Sequence, residues 1–137
     1  MSAPKLEPGQ SLADCPATKE FRERHEQVAR AAEEHAAQRQ HAKGKGTARE
    51  RIDQLLDNGS FLEVGQFSGS GVGANAKPSG VVTGFGTIDG RQVAVYSQDF
   101  SVQGGSLGSV EGDKIVRLLD DALRLRIPII GQIGRAH

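Results

Sequence analysis

Apolar positions are sparse at the front of this chain and dense towards its end, and their period changes along the way. From Thr18 to Lys43, TKEFRERHEQVARAAEEHAAQRQHAK has no glycine, is built of strong helix formers, and sets Glu20/Arg24 and Glu26/Arg30 in the favourable i, i+4 order. With Thr18 as N-cap, the pattern predicts one long exposed helix over 18–43. Its apolar face is mostly alanine with Phe21 and Val28, too thin to bury much surface alone. In GKGTARERIDQLLDNGSF, Thr47 and Glu50 form a T-x-x-E capping box, and Ile52, Leu55 and Leu56 fall at i, i+3 and i+4. Asp57-Asn58-Gly59 then stops this short amphipathic helix.

Further on the period falls to two. GVVTGFGTIDGRQVAVYSQD alternates β-branched with small residues on both sides of Asp89-Gly90, a strong hairpin signal, and predicts antiparallel strands over Val81–Ile88 and Arg91–Ser97. A helix over Val110–Leu125 follows, with Ile115, Leu118, Leu119, Ala122 and Leu125 marking its apolar face, and Ile127–Ile130 resumes as a wholly apolar strand. Strand, glycine loop, helix and strand make a β-α-β unit, so the fold class is α/β or α+β.

Composition narrows the function classes. The 17 basic and 17 acidic residues cancel, which leaves no net field to gather nucleic acid or an anionic membrane. No apolar run approaches the roughly 20 residues that span a bilayer. The single cysteine, Cys15, has no partner in the chain, which points to a reducing, cytoplasmic setting. MSAPKLEPGQSLADCPA holds three of the five prolines and no apolar period, and residues 1–17 are expected to be a disordered lead. GQFSGSGVGANAKPSG reads as a loop.

Candidate chemistry is scarce. The loop QGGSLGSVEG runs into the amino end of the Val110–Leu125 helix, where glycines admit a ligand to backbone N–H groups and the helix end favours negative charge. A phosphate or carboxyl group fits such a place. GGSLG is, however, neither a G-x-x-x-x-G-K-[ST] loop nor a G-x-G-x-x-G fingerprint, and Glu111 and Asp113 can themselves complement the helix end. His25, His35 and His41 are not spaced as a helical metal site would require, and no metal is expected. Asp99, Glu111, Asp113, Asp120 and Asp121 read as surface charge, without an acid/base pair to assign. Cys15 lacks a histidine in catalytic context.

Taken in order, GKGTARERIDQLLDNGSFLE, GVVTGFGTIDGR, SQDFSVQGGSLG and GDKIVRLLDDALRLRIPIIG closely resemble the opening of the carboxyltransferase (β) subunit of biotin-dependent acyl-CoA carboxylases, the propionyl-CoA and acetyl-CoA carboxylase type. The resemblance covers about Lys43 to Gly131. It implies a crotonase-like ββα superhelix, incomplete here, preceded by an N-terminal helical segment. It also implies an enzyme that moves a carboxyl group from carboxybiotin to the α-carbon of an acyl-CoA, giving methylmalonyl-CoA or malonyl-CoA. Biotin would be carried on a partner subunit that also contains the biotin carboxylase, the subunits would form a hexamer, and no metal would be needed. Gly104, Gly105, Ser106 and Gly108 are then the expected contribution to an acyl-CoA or biotin pocket. A biotin-dependent acyl-CoA decarboxylase and a non-catalytic assembly module are the alternative readings.

The resemblance also sets expectations for the end of the chain. Family members continue after the final glycine with a segment close to I-N-D-S-G-G-A-R-I-Q-E-G, whose backbone N–H groups stabilise the enolate. Here Gln132-Ile133-Gly134-Arg135-Ala136-His137 follows Gly131. These six residues translate CAG-ATC-GGA-AGA-GCA-CAC, similar to a sequencing adapter, and are expected to be a non-family tail. The expected organisation is a lead over 1–17, a helix over 18–43, the start of the carboxyltransferase N-terminal domain over 44–131 and the tail over 132–137. No catalytic side chain is expected, and a chain lacking the enolate-stabilising segment would be inactive alone.

Overall fold

A computed structural model describes residues 9, 11, 15–66, 79–102, 104 and 107–133. It divides the chain into two units, Met1–Ala32 and Glu33–His137. Helix α1 (Pro16–His41) opens in the first. It starts two residues before the expected cap: Cys15 O accepts from the amides of both Thr18 and Lys19, and Pro16 sits in the first turn, where its missing N–H costs nothing. Pro16 and Ala17 are thus helical rather than part of the lead, and the helix ends at His41, not Lys43. Glu26 and Arg30 pair at 3.8 Å, and Phe21 and Val28 are exposed.

In the second unit, α2 (Ala48–Leu55) is capped as its sequence predicts. Thr47 Oγ1 accepts from Glu50 N at 3.1 Å, and Glu50 Oε2 accepts from Thr47 N at 2.8 Å. Four strands follow: β1 (Leu62–Val64), β2 (Val81–Ile88), β3 (Arg91–Gln98) and β4 (Ile129–Gln132), with α3 (Ser109–Leu125) between the last two. They form one sheet in the order β1-β2-β3-β4. The hairpin is as predicted, with Asp89 and Gly90 at φ +50° and +76° in its turn. β1 was not foreseen: three residues are too few to show a period, and its identity comes from pairing with Thr83–Phe85.

β3 has a partner on each side, and its alternate residues face opposite helices. Val93 and Val95 pack with Val82 against Ala48, Ile52 and Leu56 of the α2 region, while Ala94 packs against Leu118 and Ala122 of α3. β4 repeats the rule, with Ile130 on the first face and Ile129 on the second.

Two details differ from expectation. On α3 the buried stripe is Lys114, Leu118 and Ala122, so Leu119 and Leu125 are exposed, as are Val116 and Leu123. The last strand begins at Ile129, not Ile127. Arg126 adopts a left-handed conformation at φ +55°, the Ile127 amide returns to Ala122 O, and the Pro128 carbonyl enters the ladder by accepting from Ala94 N at 2.9 Å. Gln132, assigned by sequence to the tail, is the last residue of β4 and is in register with Ser97.

Candidate functional site at the carboxyl edge of the sheet

β3 and β4 run parallel, so their carboxyl ends lie at one edge together with the amino end of α3. In open α/β sheets this edge is where ligands bind. Of the four expected pocket residues, Gly104 and Gly108 are described, while Gly105 and Ser106 lie outside the described residues. Gly104 has φ +64°, is exposed, and has nothing within 4 Å of where a Cβ would stand. It can therefore admit a ligand close to the backbone.

Gly108 precedes α3 as its N-cap, and its amide donates to Glu111 Oε2 at 3.0 Å. The other oxygen, Oε1, accepts from Gly80 N at 3.0 Å. Bonding to Gly80, ahead of burial that opposes it, holds the Glu111 carboxyl below its usual pKa. Of the two sequence readings for this helix end, self-complementation is what the structure displays for Glu111. A carboxylate there takes the place that an anionic ligand would need.

One turn along, Lys114 is buried, and its Nζ donates to Val81 O at 2.6 Å. Burial depresses its pKa to about 8, against the attraction of Glu63 and Glu111. The sequence signal for it was available, because Lys114, Leu118 and Ala122 share a helical stripe at i, i+4 and i+8. Nearby, Arg49 makes a two-point contact with Glu63, through Nη2 at 2.7 Å and Nε at 3.2 Å, and reaches Glu33 at 3.4 Å. Burial works against the Arg49 charge, but the two carboxylates outweigh it and raise its pKa.

Past β3, Asp99 is buried rather than on the surface. Its Oδ1 accepts from the Ser101 amide at 2.9 Å and the Ser101 hydroxyl at 2.5 Å, a turn that fixes the start of the glycine segment. Arg39 donates to Ser101 O, and Arg51 donates to Gln98 O and lies over the Phe100 ring. Burial lowers the Arg51 pKa, while Asp99 opposes the shift. Gln132 Nε2 reaches Arg51 O at 3.2 Å, and the buried Ser97 hydroxyl finds no hydrogen-bond partner among the described residues.

The histidines do not converge. His25 stacks obliquely on Phe21, His35 is exposed, and His41 bonds both oxygens of Glu50 at 2.8 and 2.9 Å. That contact, before the Thr47 amide, lowers the Glu50 pKa. A groove lined by Ile88, Asp89, Arg91, Val93 and Pro128 lies at the turn end of the hairpin, away from the carboxyl edge. Among the described residues, no helix is long and apolar enough to cross a membrane.

Comparison with known proteins adds what the geometry leaves open. Residues 39–133 match the carboxyl transferase domain family. The chain is 52% identical over 117 residues to the propionyl-CoA carboxylase beta chain of Saccharopolyspora erythraea, covering 81% of this chain and 21% of that protein. It is 46% identical over 104 residues to the methylmalonyl-CoA decarboxylase subunit alpha of Veillonella parvula, covering 72% and 20%. The structure of transcarboxylase 12S, described as a hexamer with hydrolysed methylmalonyl-coenzyme A bound, superposes with a TM-score of 0.76 at 34% identity over 96% of this chain and 27% of that one. The chain thus spans about a fifth of the length of the curated relatives it matches.

Proposed function

The chain belongs to the carboxyl transferase domain family, with a mixed helix-and-sheet, crotonase-like fold, and from that premise we propose that it serves a subunit transferring a carboxyl group from carboxybiotin to the α-carbon of an acyl-CoA. The observation that carries this reading is the family match over 39–133, which takes in all four strands and both helices packed on them. Propionyl-CoA and acetyl-CoA are the proposed acceptors, giving methylmalonyl-CoA and malonyl-CoA. The proposed partners are a biotin-carrying carboxylase subunit and further copies of the same subunit in a hexamer, in a cytoplasmic setting. Residues 44–131, extended by the family match to 39–133, are the proposed share of the carboxyltransferase domain, and 134–137 a tail outside it.

The chemistry asks little of side chains. The demanding species is the thioester enolate, which preorganised backbone N–H donors stabilise best. We assign no catalytic side chain to this chain. Gly104, Gly105, Ser106 and Gly108 are proposed to line the acyl-CoA or biotin pocket, with Gly104 giving close access to the backbone. The Gly108 amide is committed to Glu111 and serves the shape of the loop.

The test grafts residues 39–133 into the S. erythraea beta chain in place of the matching segment, with that protein's own partner subunits present. Carboxylation of propionyl-CoA by the assembled chimera is the expected result, and an assembled chimera without transfer would overturn the proposal. The similarity to the V. parvula subunit supports a second reading, the same transfer run towards decarboxylation. A parallel graft into that protein separates the two, because the segment should function in the host whose chemistry it shares.

A further inference from the structure

We propose that Glu111 is a positioning residue whose carboxylate fastens the Gly80 and Gly108 peptides together, so that the start of β2 and the N-cap of α3 behave as one unit. Its two oxygens are divided between the two glycine amides, each at 3.0 Å. The need for such a fastening follows from the sheet. The β1 ladder ends at the Val64–Thr83 pair, so the chain at Gly80 and Val81 has β3 on one side and, among the described residues, no strand on the other. On the β3 side, Gly80 O accepts from Asp99 N at 2.8 Å. On the other side α3 provides what a strand would: Glu111 accepts from Gly80 N, and Lys114 donates to Val81 O.

The two amides are not equivalent. Gly80 is buried and has no water to turn to, whereas Gly108 is exposed. A glutamine at 111 keeps one acceptor oxygen but turns an NH2 group towards the second amide. The buried Gly80 should retain the oxygen, and Gly108 should be released.

This inference rests on the carboxyltransferase reading for its kinetic consequence, since Gly108 belongs to the loop proposed to meet acyl-CoA or biotin. The test uses the chimeric subunit assembled with its partners, following hydrogen exchange in peptides that contain Gly80 and Gly108. E111A should speed exchange at both glycines while the remaining amides of β2 and β3 stay slow, and E111Q should speed it at Gly108 alone. KM for propionyl-CoA should rise roughly tenfold in E111A with a smaller change in kcat, and E111Q should recover part of it. Should E111A fail to assemble, E111Q still tests the release of Gly108 against a retained Gly80. Unchanged exchange at Gly108 in either variant, or faster exchange throughout β2 and β3, overturns the fastening, and a kcat loss at constant KM overturns the positioning role. An unsubstituted chimera that assembles but transfers nothing sinks the functional reading instead, and exchange alone then judges the fastening.

Discussion

The Lys114 ammonium, buried on the inner stripe of α3, donates to the Val81 carbonyl at 2.6 Å, and this one bond ties a helix to the first residue of a strand 33 positions earlier. A charge in that position is costly because burial strips its water, which is why its pKa falls to about 8 from the ordinary 10.5. Between those values the unfolded chain holds a proton that the folded chain has released, so stability rises with pH. The Lys114 contribution is fully favourable above about 10.5, shrinks as pH falls, and is lost below about 8. Urea midpoints of the chain and of K114M, measured from pH 7.5 to 10, should therefore diverge in slope, with the upward trend weaker in K114M. Parallel slopes would refute the assignment.

Asp57, just past α2, gathers the hairpin turn. It accepts from Thr87 Oγ1 at 2.6 Å and from the amides of Asp89 and Gly90 at 2.9 Å each. These bonds, Thr87 first, hold its pKa below the ordinary 3.8. The stabilisation is present above 3.8 and fades as pH falls through the lower folded value, because protonation removes the acceptor. Thermal midpoints at pH 6 and pH 3 should differ more for the parent chain than for D57N. An equal drop in both would count against this role.

Close approach at Gly84 and Gly86 fixes where β1 and α2 sit. A Cβ at Gly84 would strike the Leu62 carbonyl oxygen, which is backbone, whereas one at Gly86 would meet Leu56 Cδ1 at 2.5 Å, the end of a side chain. G84A is thus expected to lose about 1–3 kcal/mol and G86A less. Denaturant titration of the two variants checks the order, and an equal or reversed order would show that β1 can shift.

Two buried hydroxyls should respond in opposite ways. Thr83 Oγ1 donates to Val64 O at 2.9 Å, whereas Ser97 Oγ has no partner among the described residues. T83V should cost about 1 kcal/mol, and S97A should be neutral or stabilising. Calorimetry that finds S97A clearly destabilised would reveal a partner for Ser97.

Features that depend on neighbouring residues were readable from sequence. The Thr47/Glu50 box and the Asp89-Gly90 turn are each signalled by residue types within a stretch of four, and both are formed as expected. The α/β class followed from the change of period, and the β-α-β unit is present with its two strands parallel. Errors fell where distant partners decide. β1 is a strand because of Thr83–Phe85, and α3 buries Lys114 because the Val81 carbonyl lies opposite. At the candidate site, the place of the glycines between a strand and a helix start was legible locally, and the family resemblance supplied the ligand class expected there. The bond from Glu111 to Gly80, 31 residues away, joins two segments that no local spacing relates.

The parallel register of β3 and β4 has a geometric consequence. Ser97 stands beside Gln132, so Asp99 and Ile133 leave the sheet in the same direction along adjacent tracks. Both tracks start at the same edge without the chain crossing a face, and the spacing between them there is set by the backbone hydrogen bonds of the β3–β4 ladder. One edge of one sheet thus acts as a ruler for the points at which two strands release the chain.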